Sequence, residues 1–160
     1  LVLYETAAIL LHLADTHPGR IHHPPVGSAE RAQLYKWLMW MTNTWQAHLM
    51  SYFYPERWVA EGDVGAAAQV RQRSQQRVGE LLGQFDRHLG TRGGPHVLGE
   101  PFTLLDPFAF VLCRWTRGFA PDVAAPARDR PALGPYLARM LARDSVRRVL
   151  ADEGIEPPFV

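Results

Sequence analysis

At 160 residues the chain suits one domain with room for part of a second. Apolar residues make up 47% and charged residues 21%, enough to bury a real core. The formal net charge of +1 supplies no broad field for nucleic acid or an anionic membrane, so neither is expected as a partner. Cys113 is the only cysteine, which rules out an intramolecular disulfide and permits a reducing compartment. No apolar run reaches the ~20 residues of a membrane span. The first residues, Leu1 to Glu5, carry neither an initiator Met nor a basic stretch, which predicts a start inside a domain rather than a leader.

In chain order, the first predicted helix runs from about Glu5 to Thr16. Ile9, Leu10, Leu11 and Leu13 make it apolar on most sides, so it needs cover from more than one direction. Pro18-Gly19 stops it, and Pro24-Pro25-Val26-Gly27 extends the break into a linker. Ser28 is a candidate N-cap for a long helix ending near Tyr54, ahead of Pro55. On that helix Leu34, Trp37, Leu38, Met41, Trp45, Leu49, Tyr52 and Phe53 share one arc, the expected core face. Its other side, with Met39, Trp40, Ala47 and Met50 around Lys36 and Asn43, is not plainly polar and suits a second contact.

Asp63 is expected to cap the next helix, which runs to Leu89 and ends at Gly90. Its apolar stripe is Val70, Val78, Leu81, Leu82, Phe85 and Leu89, and Arg71, Arg73 and Arg77 are most simply a solvated face. A turn-rich loop leads to a central, buried helix from Leu104 to about Arg117. Another is predicted from Pro131 to Ala142, and a last one capped by Asp144 or Ser145 and closed by Gly154. Strand-like alternation is absent, which makes the fold class all-α.

Two segments carry chemistry. Leu3-Tyr4-Glu5-Thr6-Ala7-Ala8-Ile9 puts an acid and a hydroxyl at the start of an apolar helix. Taken alone, capping is the simpler role for Glu5 and Thr6. Leu98-Gly99-Glu100-Pro101-Phe102-Thr103-Leu104-Leu105-Asp106 contains a Thr-x-x-Asp capping signal. Here Thr103 is expected to accept from the Asp106 N–H while the Asp106 carboxylate reaches back to the Thr103 N–H, a folding role. Pro107 cannot donate a helical hydrogen bond, so this helix start is expected to be tightened.

The first segment resembles the Glu-Ser/Thr-x-Ala-Ile stretch of glutathione transferases. The second resembles the buried capping box of their C-terminal helical domain, although Leu105 stands where a small residue is usual. Arg139-Met-Leu-Ala-Arg143 also looks like that family. The resemblance covers nearly the whole chain and implies a bacterial, cytosolic-type glutathione S-transferase. It implies that residues 1–19 are the last helix of a thioredoxin-like domain, residues 20–27 a linker and residues 28–160 the C-terminal helical domain.

By that resemblance Glu5 and Thr6 hold the γ-glutamyl end of glutathione, whose α-carboxylate suits a helix N-terminus and whose α-ammonium suits Glu5. Met39, Trp40, Asn43, Gln46 and Trp115 are the expected pocket or interface residues, with plain core packing the simpler role for Trp115. The implied activity is a cytoplasmic detoxification reaction, conjugation of glutathione thiolate to a hydrophobic electrophile, or a thiol-disulfide variant, in a homodimer. Glutathione is the expected cosubstrate, and the catalytic residue is expected outside these 160 residues. A non-catalytic domain for protein association is the alternative, and an unrelated helical bundle a third.

Other chemistry is weaker. The histidines at 12, 17, 22 and 23 lack three or four converging ligands, so hydrogen-bonding imidazoles are expected rather than a metal site. Cys113 lies inside a helix and is expected to be a packed thiol.

Overall fold

The computed structural model describes residues 1–160 and contains no strand, only two isolated bridges, Pro18 to Ile21 and His96 to Gly99. Seven α-helices follow one another: α1 Thr6–Thr16, α2 Ala29–Trp40, α3 Ala47–Phe53, α4 Val64–Arg92, α5 Leu105–Arg114, α6 Leu133–Leu141 and α7 Asp144–Asp152. One core of 28 residues runs through them, drawn from every helix but α7, and α3 packs most extensively on α4.

The long helix expected from Ser28 to Tyr54 is interrupted. Between α2 and α3, Met41–Gln46 form a π-helical segment, in which the wider turn accommodates an extra residue without breaking the rod. Seven of the eight residues expected on its core face are buried, from Leu34 to Tyr52. Phe53 is the exception at 38% exposure, because it ends α3 and rests edge-on against Tyr52 and Trp115.

Local caps stand where expected. The Ser28 hydroxyl accepts from the Arg31 N–H at 3.1 Å, and Asp63 Oδ1 accepts from the Ala66 N–H at 2.8 Å. Four boundaries differ. α5 stops at Arg114 rather than near Arg117, where the chain passes into turns. α4 continues past Gly90 to Arg92 and stops at Gly93, whose φ of 75° is the left-handed turn that glycine tolerates. α6 begins at Leu133 rather than Pro131, and its first N–H groups, on Ala132 and Leu133, donate to Asp86 Oδ1 of α4 at 2.9 and 2.8 Å. In α7 neither Asp144 nor Ser145 caps, since the Asp144 carboxylate is drawn onto Arg147 instead. Gly154 closes that helix at φ 60°, as expected.

α4 is joined to α2 by a ring cluster. Trp37, Trp40, Trp45 and Phe85 have centroids 5.1–6.1 Å apart, and His88 lies 4.1 Å from Trp37. The His88 ring hydrogen-bonds through Nε2 to the Val97 carbonyl at 2.8 Å. Burial lowers its pKa from the ordinary 6.5, with Lys36 and Arg92 pushing the same way and the Val97 carbonyl opposing. The unfolded chain therefore takes up this proton first. The stability His88 contributes is complete above about pH 6.5 and is lost as pH falls through that value toward the lower folded one. The thermal midpoint of the wild type is expected to fall from about pH 7.5 to about 5.5 more steeply than that of His88→Gln. Equal slopes for the two proteins, read by circular dichroism, would contradict this.

Candidate functional site

The N-terminus of α1 is built unusually. Glu5 is the one non-glycine residue with a positive φ, at φ 70° and ψ 114°. That geometry crowds Cβ against the backbone and typically costs ~1–3 kcal/mol. Its carbonyl accepts from the Ile9 N–H at 3.0 Å, which locks the strained residue onto the first helical turn. Neither Glu5 nor Thr6 makes a side-chain capping bond, and both are exposed. The capping role that is simplest on sequence alone is thus not the one they play. The N–H groups of Thr6, Ala7 and Ala8 have no acceptor within the protein. A carboxylate, a hydroxyl and three free N–H groups therefore stand together at the positive end of a helix dipole, a setting suited to a ligand carboxylate.

The other nominated residues are dispersed. Met39 is 43% exposed and Asn43 is exposed, while Gln46 is half-buried within the π-helical segment. Trp40 is half-buried and packs its indole against Trp37, Trp45 and Phe85. Trp115 is half-buried just beyond α5 with Phe53 edge-on at 6.1 Å. No hydrogen bond or ring contact links any of these five to Glu5 or Thr6.

The capping box is buried, both Thr103 and Asp106 being fully inaccessible. Asp106 Oδ2 accepts from the Thr103 N–H at 2.8 Å, as expected, and also from the Thr103 hydroxyl at 3.2 Å. The return bond differs. Thr103 Oγ1 accepts from the Leu105 N–H at 3.3 Å, and the Asp106 N–H donates to the Thr103 carbonyl at 3.1 Å. That tighter turn follows from Pro107, which has no N–H to offer that carbonyl. Asp106 Oδ1 reaches further, to the Val97 N–H at 2.9 Å and the Tyr136 hydroxyl at 3.3 Å. Burial pushes the Asp106 carboxyl up, against the donors that favour its charge, and pushes the Tyr136 phenol well up. Tyr136 therefore stays a proton donor at neutral pH, joining α6 to the start of α5.

Cys113 is 1% exposed, and burial pushes its thiol well above the ordinary range. The four histidines considered for metal are not gathered: His22 Nε2 meets Glu30 Oε1 at 3.0 Å, His23 Nε2 meets Asp15 Oδ1 at 2.8 Å, and His17 bonds locally to Leu13 and Thr16. No three His, Cys, Asp or Glu side chains are grouped so as to hold a metal ion. No helix is long and apolar enough to cross a membrane.

Known proteins share this architecture. Residues 68–139 match the family model of the glutathione S-transferase C-terminal domain. The "Uncharacterized GST-like protein YncG" of Escherichia coli (strain K12) is 28% identical over 151 residues, which cover 91% of this chain and 69% of that one. The glutathione S-transferase GstA of Escherichia coli O157:H7 is 27% identical over 155 residues, covering 97% and 70%. A sphingomonad glutathione S-transferase solved in complex with glutathione superposes with a TM-score of 0.75 at 26% identity, covering 96% of this chain and 69% of that one. With an all-helical core, a buried Thr-x-x-Asp box and these likenesses along its length, the chain has the fold of the glutathione S-transferase C-terminal domain and is similar to proteins of that family.

Proposed function

We propose that this chain binds glutathione at the start of α1 and serves a glutathione transferase that conjugates the thiolate to a hydrophobic electrophile. In this reading α1 belongs to a thioredoxin-like domain, residues 20–27 are the linker, and residues 28–160 form the helical domain. The observation that carries it is the strained, uncapped Glu5 beside three free N–H groups. Strain of this kind persists where it serves a site. The ligand's α-carboxylate is assigned to Thr6 and the free N–H groups, and its α-ammonium to Glu5. The glutathione complex of the sphingomonad relative supports the choice of ligand.

No residue of this chain is assigned to thiolate activation. Cys113 and Tyr136 are both buried and pushed toward their protonated forms. Met39, Trp40, Asn43, Gln46 and Trp115 are assigned to the electrophile pocket or to contact with a second copy, in a cytoplasmic homodimer. The test is retention of the protein on glutathione resin, with Glu5→Ala expected to abolish it; undiminished retention of that variant would overturn the assignment of Glu5.

A second reading, a non-catalytic domain for protein association, is favoured by the large side chains left outside. Tyr35, Met39, Phe53, Tyr54 and Trp58 are 38–65% exposed. It requires self-association in sedimentation equilibrium together with no retention of the wild type on the resin.

A further inference from the structure

We propose that the cleft under the linker binds a phosphate group. This site lies at the far end of α1, roughly 14 Å along the helix from Thr6, and does not depend on the glutathione reading. The cleft has a volume of about 690 Å³ and is lined by Asp15, Arg20, His22, His23, Phe102 and Arg143 among others. Four separate segments thus meet there: the end of α1, the linker, Phe102 ahead of α5, and the corner between α6 and α7.

Its cations outnumber the partners they have. Arg143 lies with its guanidinium 3.7 Å from the Phe102 ring centroid, which fixes the plane of the group. No hydrogen bond or ion pair engages the Arg143 guanidinium, and its Nε is buried without a partner. Arg20 makes no side-chain hydrogen bond or ion pair either and is exposed at the rim. The His23 side chain is only 10% exposed; Nε2 is held by Asp15, and Nδ1 is buried without a partner.

The carboxylates nearby are occupied. Asp15 Oδ1 serves His23 and stands 3.9 Å from Arg31, while Glu30 Oε1 serves His22. Counting Arg20, Arg31 and Arg143 against Asp15 and Glu30 leaves one positive charge before either imidazole is protonated.

A buried guanidinium nitrogen with no acceptor is costly, and a guanidinium without a counter-ion attracts an oxyanion. Water can accept from one such nitrogen but leaves the charge unmatched. The free donors, Arg20 of the linker and Arg143 of the α6–α7 corner, approach from two segments rather than from one plane. A tetrahedral group with several oxygens meets them better than a flat carboxylate, which favours a single fork. Such a ligand would also tie α1 and the linker to the α6–α7 corner, and so raise the thermal midpoint by binding only the folded state.

The experiment is a calorimetric titration of the protein with pyrophosphate at low ionic strength, paired with thermal melts. Saturable binding at one site with a raised midpoint is expected. Arg143→Gln and Arg20→Gln should each weaken it by at least about tenfold, and Arg73→Gln, which lines a different cleft beside Ser51 and Trp58, by less than about twofold. Arg20 is exposed and makes no side-chain hydrogen bond or ion pair, so its variant decides the matter should Arg143→Gln fold poorly. Absence of saturable binding overturns the proposal, as does equal weakening by Arg73→Gln. Succinate binding as tightly as pyrophosphate would make the site a dicarboxylate site and overturn the choice of phosphate.

Discussion

Replacing Asp106 by alanine is expected to lower the thermal midpoint by ~10 °C, the largest stability effect of any single substitution considered. The carboxylate has no solvent exposure and accepts from four donors: the N–H groups of Val97 and Thr103, and the hydroxyls of Thr103 and Tyr136. Alanine leaves two buried N–H groups with nothing to bond to, at ~1–3 kcal/mol each, and adds a small cavity. Tyr136 keeps a partner, because its hydroxyl also donates to the Asp106 carbonyl at 3.1 Å. A total of about 4 kcal/mol is expected, and at this chain length each kcal/mol shifts the midpoint by ~2–4 °C. Asp106→Asn should lose about half as much, since the amide retains one acceptor oxygen but turns an NH2 toward a neighbouring donor. Calorimetry of the three proteins checks the order wild type, asparagine, alanine. A midpoint in Asp106→Ala within about 2 °C of wild type would show that the hub is not what joins α5 to the 97–103 loop and α6.

The second large effect separates strain from binding at Glu5. Its backbone sits at φ 70°, which glycine adopts freely and a residue with Cβ does not. Glu5→Gly should therefore raise the midpoint by ~2–4 °C, while removing the carboxylate and with it retention on glutathione resin. Glu5→Ala keeps Cβ and hence the strain, so it should lose retention without gaining stability. A protein that gives up stability to hold a ligand-facing residue shows this opposition of signs. Were Glu5→Gly both stabilised and fully retained, the strained residue would be a turn with no part in ligand binding.

Much of this fold could be read from local pattern, and the reason is range. Ser28 and Asp63 act on N–H groups three residues away, so their caps are written in short stretches of sequence. The core arc of α2 and α3 likewise follows from helical spacing. What escaped depends on partners far along the chain. Asp86 caps α6 from 46 residues away, and that distant acceptor places the helix start at Leu133 rather than Pro131. The Thr-x-x-Asp box announced itself, yet its contacts with Val97 and Tyr136 did not, because they need the loop and α6 to be already in place. The π-helical segment at Met41–Gln46 has no periodic signature of its own. At the candidate site, the identities of Glu5 and Thr6 were visible while the strained dihedral was not. The proposed phosphate cleft draws on four segments, each unremarkable by itself.

Cys113 turns its seclusion into an instrument. It is the only thiol in the chain, sits on α5 at 1% exposure, and is kept protonated by its surroundings. An alkylating reagent can reach it only when α5 leaves the core, so the time course of its modification counts the excursions of the native state. A destabilised Asp106 variant and a ligand-stabilised protein would run that clock at opposite extremes. Any cysteine introduced on the surface would react without competition from it.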